Sequence, residues 1–139
     1  MKRMIQLCLF SLLWATGCKK STDGEKTASF KVEVIQRGNY KDYVRELTLA
    51  PSMVYQNSGK SATLLIDEDI SDTAYTFVSP EPLVHLECSF HYGWTGNYNQ
   101  SAQVQFKFYR NNTLIDSSLV NLMPVNEGQL ISKEWTFKP

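Results

Sequence analysis

Cysteine and histidine are scarce in this sequence, and their scarcity limits the chemistry that it can support. The 139 residues include three cysteines and two histidines. Cys8 lies in an N-terminal segment that export would remove, so a domain further along the chain has only Cys18 and Cys88. We therefore expect this domain to be stable without a disulfide, unless Cys18 remains free and reaches Cys88.

Long apolar runs are lacking as well. The uncharged stretch "MIQLCLFSLLWA" follows Lys2 and Arg3, and it is shorter than the about 20 residues that cross a bilayer. A positively charged start, a short apolar stretch and then small residues are typical of a bacterial export signal. We assign residues 1–17 to such a signal, which is removed and does not fold with the domain.

The end of this signal, Ala15, Thr16, Gly17 and Cys18, resembles the bacterial lipoprotein box. The resemblance implies that Cys18 carries a lipid anchor and that residues 18–28 form a flexible polar tether. The lysines after the cysteine are similar to those of Bacteroidota lipoproteins, which implies an outer-membrane protein that faces the periplasm or the cell surface. Ala15 and Gly17 also fit ordinary signal cleavage, which would give a soluble periplasmic protein.

The charge balance offers no excess of positive charge. Removal of the signal takes Lys2 and Arg3 with it and leaves 12 basic against 14 acidic side chains. Nucleic-acid binding proteins need a basic surface, so we expect no nucleic-acid partner. About 110 residues remain after the tether, which suits one domain with a single core.

Residues 29–139 show the period of two that is typical of strands. In "FKVEVIQ", Phe30, Val32 and Val34 share one face while Lys31 and Glu33 take the other. Eight or nine short segments of this kind, separated by turn residues, predict an all-β domain. We expect an antiparallel β-sandwich of immunoglobulin type, with a small closed β-barrel as the alternative.

Turn residues suggest which strands are neighbours. Gly38 and Asn39 predict a hairpin between "FKVEVIQ" and "YVRELTLA". The segments "LVHLECSFHY" and "AQVQFKFYR" form the clearest predicted strand pair. Asn111 and Asn112 predict a two-residue turn after the second of these, because asparagine tolerates positive φ.

Metal ligands are few, and we expect no cofactor. His85 and His91 lie six strand residues apart, about 20 Å, which is too far for them to share one ion. The loop at "DEDISD" offers Asp67, Asp69 and Asp72 as weak calcium candidates. It lacks the central glycine and the late glutamate of an EF-hand, and aspartates also satisfy loop backbones.

Catalytic patterns are missing too. Cys88 alternates with Leu86 and Phe90, so we expect it on the apolar side, away from both histidines. No serine lies in a G-x-S-x-G elbow, and no glycine-rich phosphate loop is present. We therefore expect a protein that is not an enzyme.

The segment "HYGWTGNYNQS" is the best candidate for contact with a partner. Its rings, Tyr92, Trp94 and Tyr98, offer flat apolar faces, and Asn97 and Asn99 offer adaptable hydrogen bonds. The alternative is that at least one of these rings, such as Trp94, caps the open end of the core.

These observations predict an uncharacterised envelope protein. The last half of the chain is similar to the sandwich domains of small exported bacterial lipoproteins, a resemblance that concerns the fold alone. We expect a non-catalytic binding or accessory module for a glycan or an envelope protein, anchored to the lipid bilayer by its N-terminal acyl group. The alternative is a structural or assembly component that pairs with another chain through an edge strand.

Overall fold

The computed structural model describes residues 24–96, 101–126 and 128–139, which form eight β-strands and two short 3₁₀ helices. The strands are β1 (Phe30–Gly38), β2 (Tyr43–Tyr55), β3 (Ser61–Ile66), β4 (Ala74–Val78), β5 (Leu86–Trp94), β6 (Ala102–Arg110), β7 (Thr113–Leu122) and β8 (Leu130–Phe137). The 3₁₀ helices are Tyr40–Asp42 and Asp67–Ile70. Neither helix is long or apolar enough to cross a membrane, and the described residues include no other.

All eight strands belong to one antiparallel sheet. Its order is β7-β6-β1-β4-β2-β5-β8, and β3 pairs with the other side of β2. The sheet curls so that β6 faces β5 and β8 across the core, where the ring centroids of Phe90 and Phe106 are 5.1 Å apart. The predicted all-β antiparallel fold is confirmed, as a curled half-barrel with two facing layers.

Strand β2 joins the two layers. Its first half pairs with β5 from Tyr43 to Ala50, and its end pairs with β4 through Val54 and Tyr55. The register against β3 shifts between these halves, around the cis peptide bond that precedes Pro51. One long strand therefore begins with the predicted segment "YVRELTLA" and continues to Tyr55.

The core is built from the inward positions of each alternating strand. Burial follows the predicted period of two in β1, β5 and β6, whose apolar residues are nearly inaccessible. Aromatic rings dominate the centre, since Trp135 of β8 contacts both Phe106 and Phe108 of β6 at centroid distances of 4.8 and 5.2 Å. Strand β8 therefore completes this core.

Two predicted strand pairs are wrong. β1 pairs with β4 and β6, and it does not form a hairpin with β2, because the 3₁₀ helix Tyr40–Asp42 carries the chain to the other layer. Gly38 begins this crossing at φ +73°, where a Cβ would lie 2.8 Å from the Ser101 carbonyl oxygen. β5 and β6 likewise lie in opposite layers, since β5 pairs with β2 and β8.

The predicted turn at Asn111 and Asn112 is confirmed. Both residues have positive φ, 48° and 65°, and they connect β6 directly to β7. The Asn111 carboxamide oxygen also accepts a hydrogen bond from the Ser29 backbone at 3.0 Å. Asparagine therefore supplies both the backbone conformation and a contact to the start of β1.

Candidate functional site

The two described aromatic residues of the predicted binding segment belong to the core. Tyr92 is only 5% exposed, and its hydroxyl donates to the Asn121 carbonyl oxygen at 3.2 Å. Trp94 is half-buried at the end of β5 and packs against the core, as the capping alternative predicts. Asn97, Tyr98 and Asn99 lie outside the described residues.

The acidic loop is organised by a buried arginine. Arg45 is 3% exposed, and its guanidinium donates to carbonyl oxygens of Tyr43, Asp67 and Ile70 at 3.2, 3.4 and 2.9 Å. It also donates to the side-chain oxygen of Gln36 at 2.7 Å. Burial lowers the pKa of Arg45, and the nearby Asp67 carboxylate opposes that shift. The guanidinium therefore provides a positive charge among the oxygen atoms of this loop.

The three calcium candidates do not converge. Asp67 accepts a hydrogen bond from the Arg45 backbone at 2.7 Å, and Asp69 accepts one from the Ile66 backbone at 3.2 Å. The Asp72 carbonyl oxygen accepts from Gln36 at 2.7 Å. Within residues 24–96, 101–126 and 128–139, no three metal-ligating side chains are grouped for an ion.

The two histidines form separate contacts on the outer side of the sheet. His85 Nε2 lies 3.9 Å from a Glu87 carboxylate oxygen, and His91 Nδ1 lies 2.7 Å from the Ser132 hydroxyl oxygen. The His91 and Ser132 side chains have the spacing of a catalytic base and a nucleophile. Glu46, the register neighbour of His91, is the carboxylate in the best position to orient such a base. His91 forms no ion pair with any described carboxylate, and the pair lies on an open surface, so neither an orienting group nor a water-excluding cleft accompanies it.

The outer side of β3, β2, β5 and β8 gathers apolar and acidic side chains. We call this surface the acidic face, and its members are Val44, Glu46, Thr48, Leu64, Ile66, Glu87, Ser89, His91, Leu130, Ser132, Glu134 and Thr136. Three of its charged residues are glutamates, and no lysine or arginine of these fully described strands faces outward. The large apolar side chains are well exposed, with Leu64 at 56%, Ile66 at 53% and Leu130 at 62%.

A shallow groove of about 250 Å³ crosses the acidic face. Its outward-facing lining is polar, with Thr48, Ser89 and Thr136 hydroxyls beside the Glu87 and Glu134 carboxylates. At the other end of the face, the Leu130 side chain covers Gly93, where a Cβ would lie 2.9 Å from the Leu130 Cδ2 atom. The face thus presents apolar edges around a polar, acidic centre.

The opposite outer surface has the reverse charge. We call it the basic face, and its charged members on β1 and β6 are Lys31, Glu33, Arg37 and Lys107. Glu33 is already engaged, since Lys31 Nζ lies 2.8 Å from its carboxylate and the Tyr109 hydroxyl donates to it at 2.9 Å. Partial burial raises the pKa of Glu33, but these two hydrogen bonds and the charges of Lys31 and Lys107 together lower the pKa overall.

The thiol of Cys88 is buried in the core, as the alternation predicts. It is 2% exposed, and burial raises its pKa to about 12. Because this folded-state pKa exceeds the ordinary value of 9.0, the neutral thiol favours the folded state fully below pH 9, and the contribution is lost as the pH rises toward 12.

Cys88 should therefore resist thiol reagents in the folded protein. In a Cys8→Ser/Cys18→Ser variant, we expect modification at pH 8 to be slower by about 100-fold or more in the folded than in the urea-unfolded chain. The measurement is the rate of disulfide-reagent reaction followed by absorbance. Rates within about tenfold of each other would contradict a buried thiol.

No protein-family model matches this sequence, and no curated protein matches it. Three solved structures share its fold. The NMR structure of the calcium-bound form of a Parabacteroides distasonis protein is 18% identical, covers 86% of this chain and 99% of its own, and has a TM-score of 0.69. A DUF4425 domain of unknown function from Bacteroides vulgatus ATCC 8482 is 8% identical, covers 81% and 97%, and has a TM-score of 0.67.

The third structure, a DUF4425 family protein from Bacteroides ovatus ATCC 8483, is 13% identical, covers 81% of this chain and 95% of its own, and has a TM-score of 0.60. At these identities the likeness concerns the fold alone. The sources of all three are consistent with the Bacteroidota-like N-terminus. The bound calcium is a property of the Parabacteroides distasonis protein. The two DUF4425 proteins have no known function.

Proposed function

We propose that this chain is a lipid-anchored, non-catalytic binding module of the cell envelope, and that its acidic face binds a protein partner. The observation that carries the proposal is the concentration of exposed apolar side chains on one face. Val44, Leu64, Ile66 and Leu130 are four of the seven large apolar residues that are exposed in the described structure. Exposed apolar side chains gathered around a polar centre are typical of protein interaction surfaces.

A protein partner fits this surface better than a glycan does. Sugar recognition commonly uses the exposed face of an aromatic ring. The only ring that lines the groove among the described residues is Trp135, and it packs inward against Phe106 and Phe108. The groove therefore offers hydroxyls and carboxylates to a sugar without a stacking platform.

Pairing through an edge strand is less well supported than binding through the face. β3 pairs only with β2 among the described strands, so it is an edge strand too, but it is only six residues long, and short edge strands offer little to pair with. β7 and β8 end the sheet, and each carries a charged residue at an inward register position. Lys133 of β8 lies opposite Phe90, and Asp116 of β7 lies opposite Phe108. Inward charges on edge strands discourage the addition of another strand.

The position of the proposed anchor leaves the acidic face accessible. Ala28, the last residue of the proposed tether, is buried and pairs with Leu83, close to the first residue of β5. From there β5 runs nine residues, about 27 Å, away from the tether. An anchor at Cys18 would therefore hold the end of the domain at Ala28 and Leu83 toward the lipid. The acidic face would then lie along the side of the domain, accessible to a partner.

Site-specific photo-cross-linking in producing cells tests the binding role. A photoreactive amino acid placed at Ile66 or at Leu130 should give a defined adduct on irradiation, because both side chains are exposed on the acidic face. The same amino acid at Asn57, which is exposed in the turn after β2, is the matched control. The measurement is the mobility shift of the chain on a denaturing gel, followed by mass spectrometry of the adduct.

The proposal requires adducts that depend on position. A species that forms at Ile66 or Leu130 and not at Asn57 supports the acidic face as the binding surface. If neither face position gives more adduct than Asn57, the face is not a binding surface and the proposed function fails.

A further inference from the structure

The structure points to the partner, and this inference rests on the proposed function. We propose that the acidic face binds the basic face of a second copy of this chain. The two faces are opposite surfaces of the same domain, so every copy carries both halves of the contact. Such an interface is heterologous, and it joins copies in an open row when successive copies are related by a translation.

Charge complementarity selects this occupant. Glu46 and Glu134 on the acidic face form no ion pair within the described structure, and Glu87 contacts only His85. On the basic face, Glu33 is paired with Lys31 and also feels the charge of Lys107, its register neighbour, while Arg37 forms no ion pair among the described residues. Three cations therefore face one carboxylate on this surface. The acidic face therefore has unpaired negative charges and the basic face has an excess of positive charge, although the formal net charge of the whole sequence is zero.

Exposed apolar groups lie on the basic side as well. Leu119 of β7 is the register neighbour of Gln105, and it is 52% exposed on the same surface as Lys107. On the acidic face, Leu64 and Ile66 hold the equivalent place on the peripheral strand β3. Contact between the faces would cover apolar side chains from both copies and would surround them with opposite charges.

A row of copies is compatible with the proposed anchor. If neighbouring copies are related by a translation across the faces, their β5 strands stay parallel and all tether ends point the same way. Confinement on one membrane would raise the effective concentration of copies, so even a weak contact would be occupied. The proposed anchor and the two charged faces therefore favour the same arrangement.

The test uses the chain as cells produce it, with Cys18→Ser to remove the proposed acylation site. Sedimentation velocity should show concentration-dependent association at low ionic strength. We expect association to weaken by about tenfold or more when added salt shortens the Debye length from about 30 Å to about 8 Å. The Lys41→Glu variant, altered at an exposed position of the 3₁₀ helix Tyr40–Asp42 outside both charged faces, is the control, and its association should persist.

Charge reversal on each face gives the decisive comparison. The acidic-face variant is Glu46→Lys/Glu134→Lys, and the basic-face variant is Arg37→Glu/Lys107→Glu. Each should be monomeric alone, with circular dichroism and a thermal midpoint like those of the unaltered chain. An equal mixture should associate again, because the intact basic face of the first variant meets the intact acidic face of the second.

The outcomes separate this inference from the proposed function. A chain that stays monomeric at every concentration and salt level, a mixture that stays monomeric, or variants that still assemble alone would overturn the second copy as partner. Should cross-linking from Ile66 or Leu130 then capture a different protein, the proposed function stands without self-assembly. If no adduct forms either, both proposals fail.

Discussion

Replacing Arg45 with alanine should lower the free energy of unfolding by about 3–5 kcal/mol. The substitution removes the guanidinium that donates to Tyr43, Ile70 and Gln36 oxygens, and it leaves the buried Gln36 side-chain oxygen without this donor. It also removes a partner from the Asp67 loop. The measurement is urea unfolding followed by circular dichroism, with an unchanged slope and a lower midpoint.

Arg37→Ala is the matched control, because Arg37 is an exposed arginine, on β1. This substitution should lower the free energy of unfolding by less than about 0.5 kcal/mol. The loss in free energy of unfolding for Arg45→Lys should lie between those of Arg45→Ala and Arg37→Ala. The lysine ammonium keeps the positive charge, but it cannot reproduce the planar arrangement of donors on a guanidinium. A loss below about 1 kcal/mol for Arg45→Ala would mean that the buried network contributes little to stability.

The second large effect is expected at Phe106. Its ring is fully buried and contacts Phe90 and Trp135 at centroid distances of 5.1 and 4.8 Å, so it bridges the two layers. Phe106→Ala should lower the free energy of unfolding by about 3–5 kcal/mol, because it opens a cavity where the two layers meet. Equilibrium unfolding of the purified variant measures this loss.

Leu119→Ala provides the comparison, since Leu119 is exposed on the adjacent strand and its truncation should cost less than about 0.5 kcal/mol. Combining Phe106→Ala with Trp135→Ala should reveal a coupling of about 0.5–1.5 kcal/mol between the two rings. Additive losses would show that the rings contribute only through the area that each buries.

Alternation in the sequence predicts the strands and their inward residues well, but it does not predict their neighbours. Phe30, Val32 and Val34 are buried as the period of two requires. The same period says nothing about whether β1 pairs with β2 or with β6, because either partner would bury the same face. The 3₁₀ helix after Gly38 decides this point, and its crossing depends on contacts with Ser101, which is distant in sequence.

Arg45 and Tyr92 show how composition can mislead where alternation does not. Arg45 occupies the inward position between Tyr43 and Leu47, and Tyr92 continues the inward series of Cys88 and Phe90. A charged residue is expected at the surface, and a tyrosine beside glycine resembles a recognition loop. The burial of Arg45 depends on acceptors from separate parts of the chain, which no local pattern reveals.

The acidic face has a signal in the sequence that becomes readable only with the strand order. Glu46, Glu87 and Glu134 each take an outward position in their own strand. Far apart in sequence, they share a surface because β2, β5 and β8 are neighbours. The sequence therefore contains the charges of the face but not their assembly.

Strand β2 has a further consequence for how the domain loses its structure. It is hydrogen-bonded to β3, β4 and β5, so it is common to both layers of the half-barrel. Neither layer can detach from it without exposing the aromatic core of the other. Partial opening of one layer is therefore suppressed, and the domain should behave as a single cooperative unit rather than as two sheets with independent local stability.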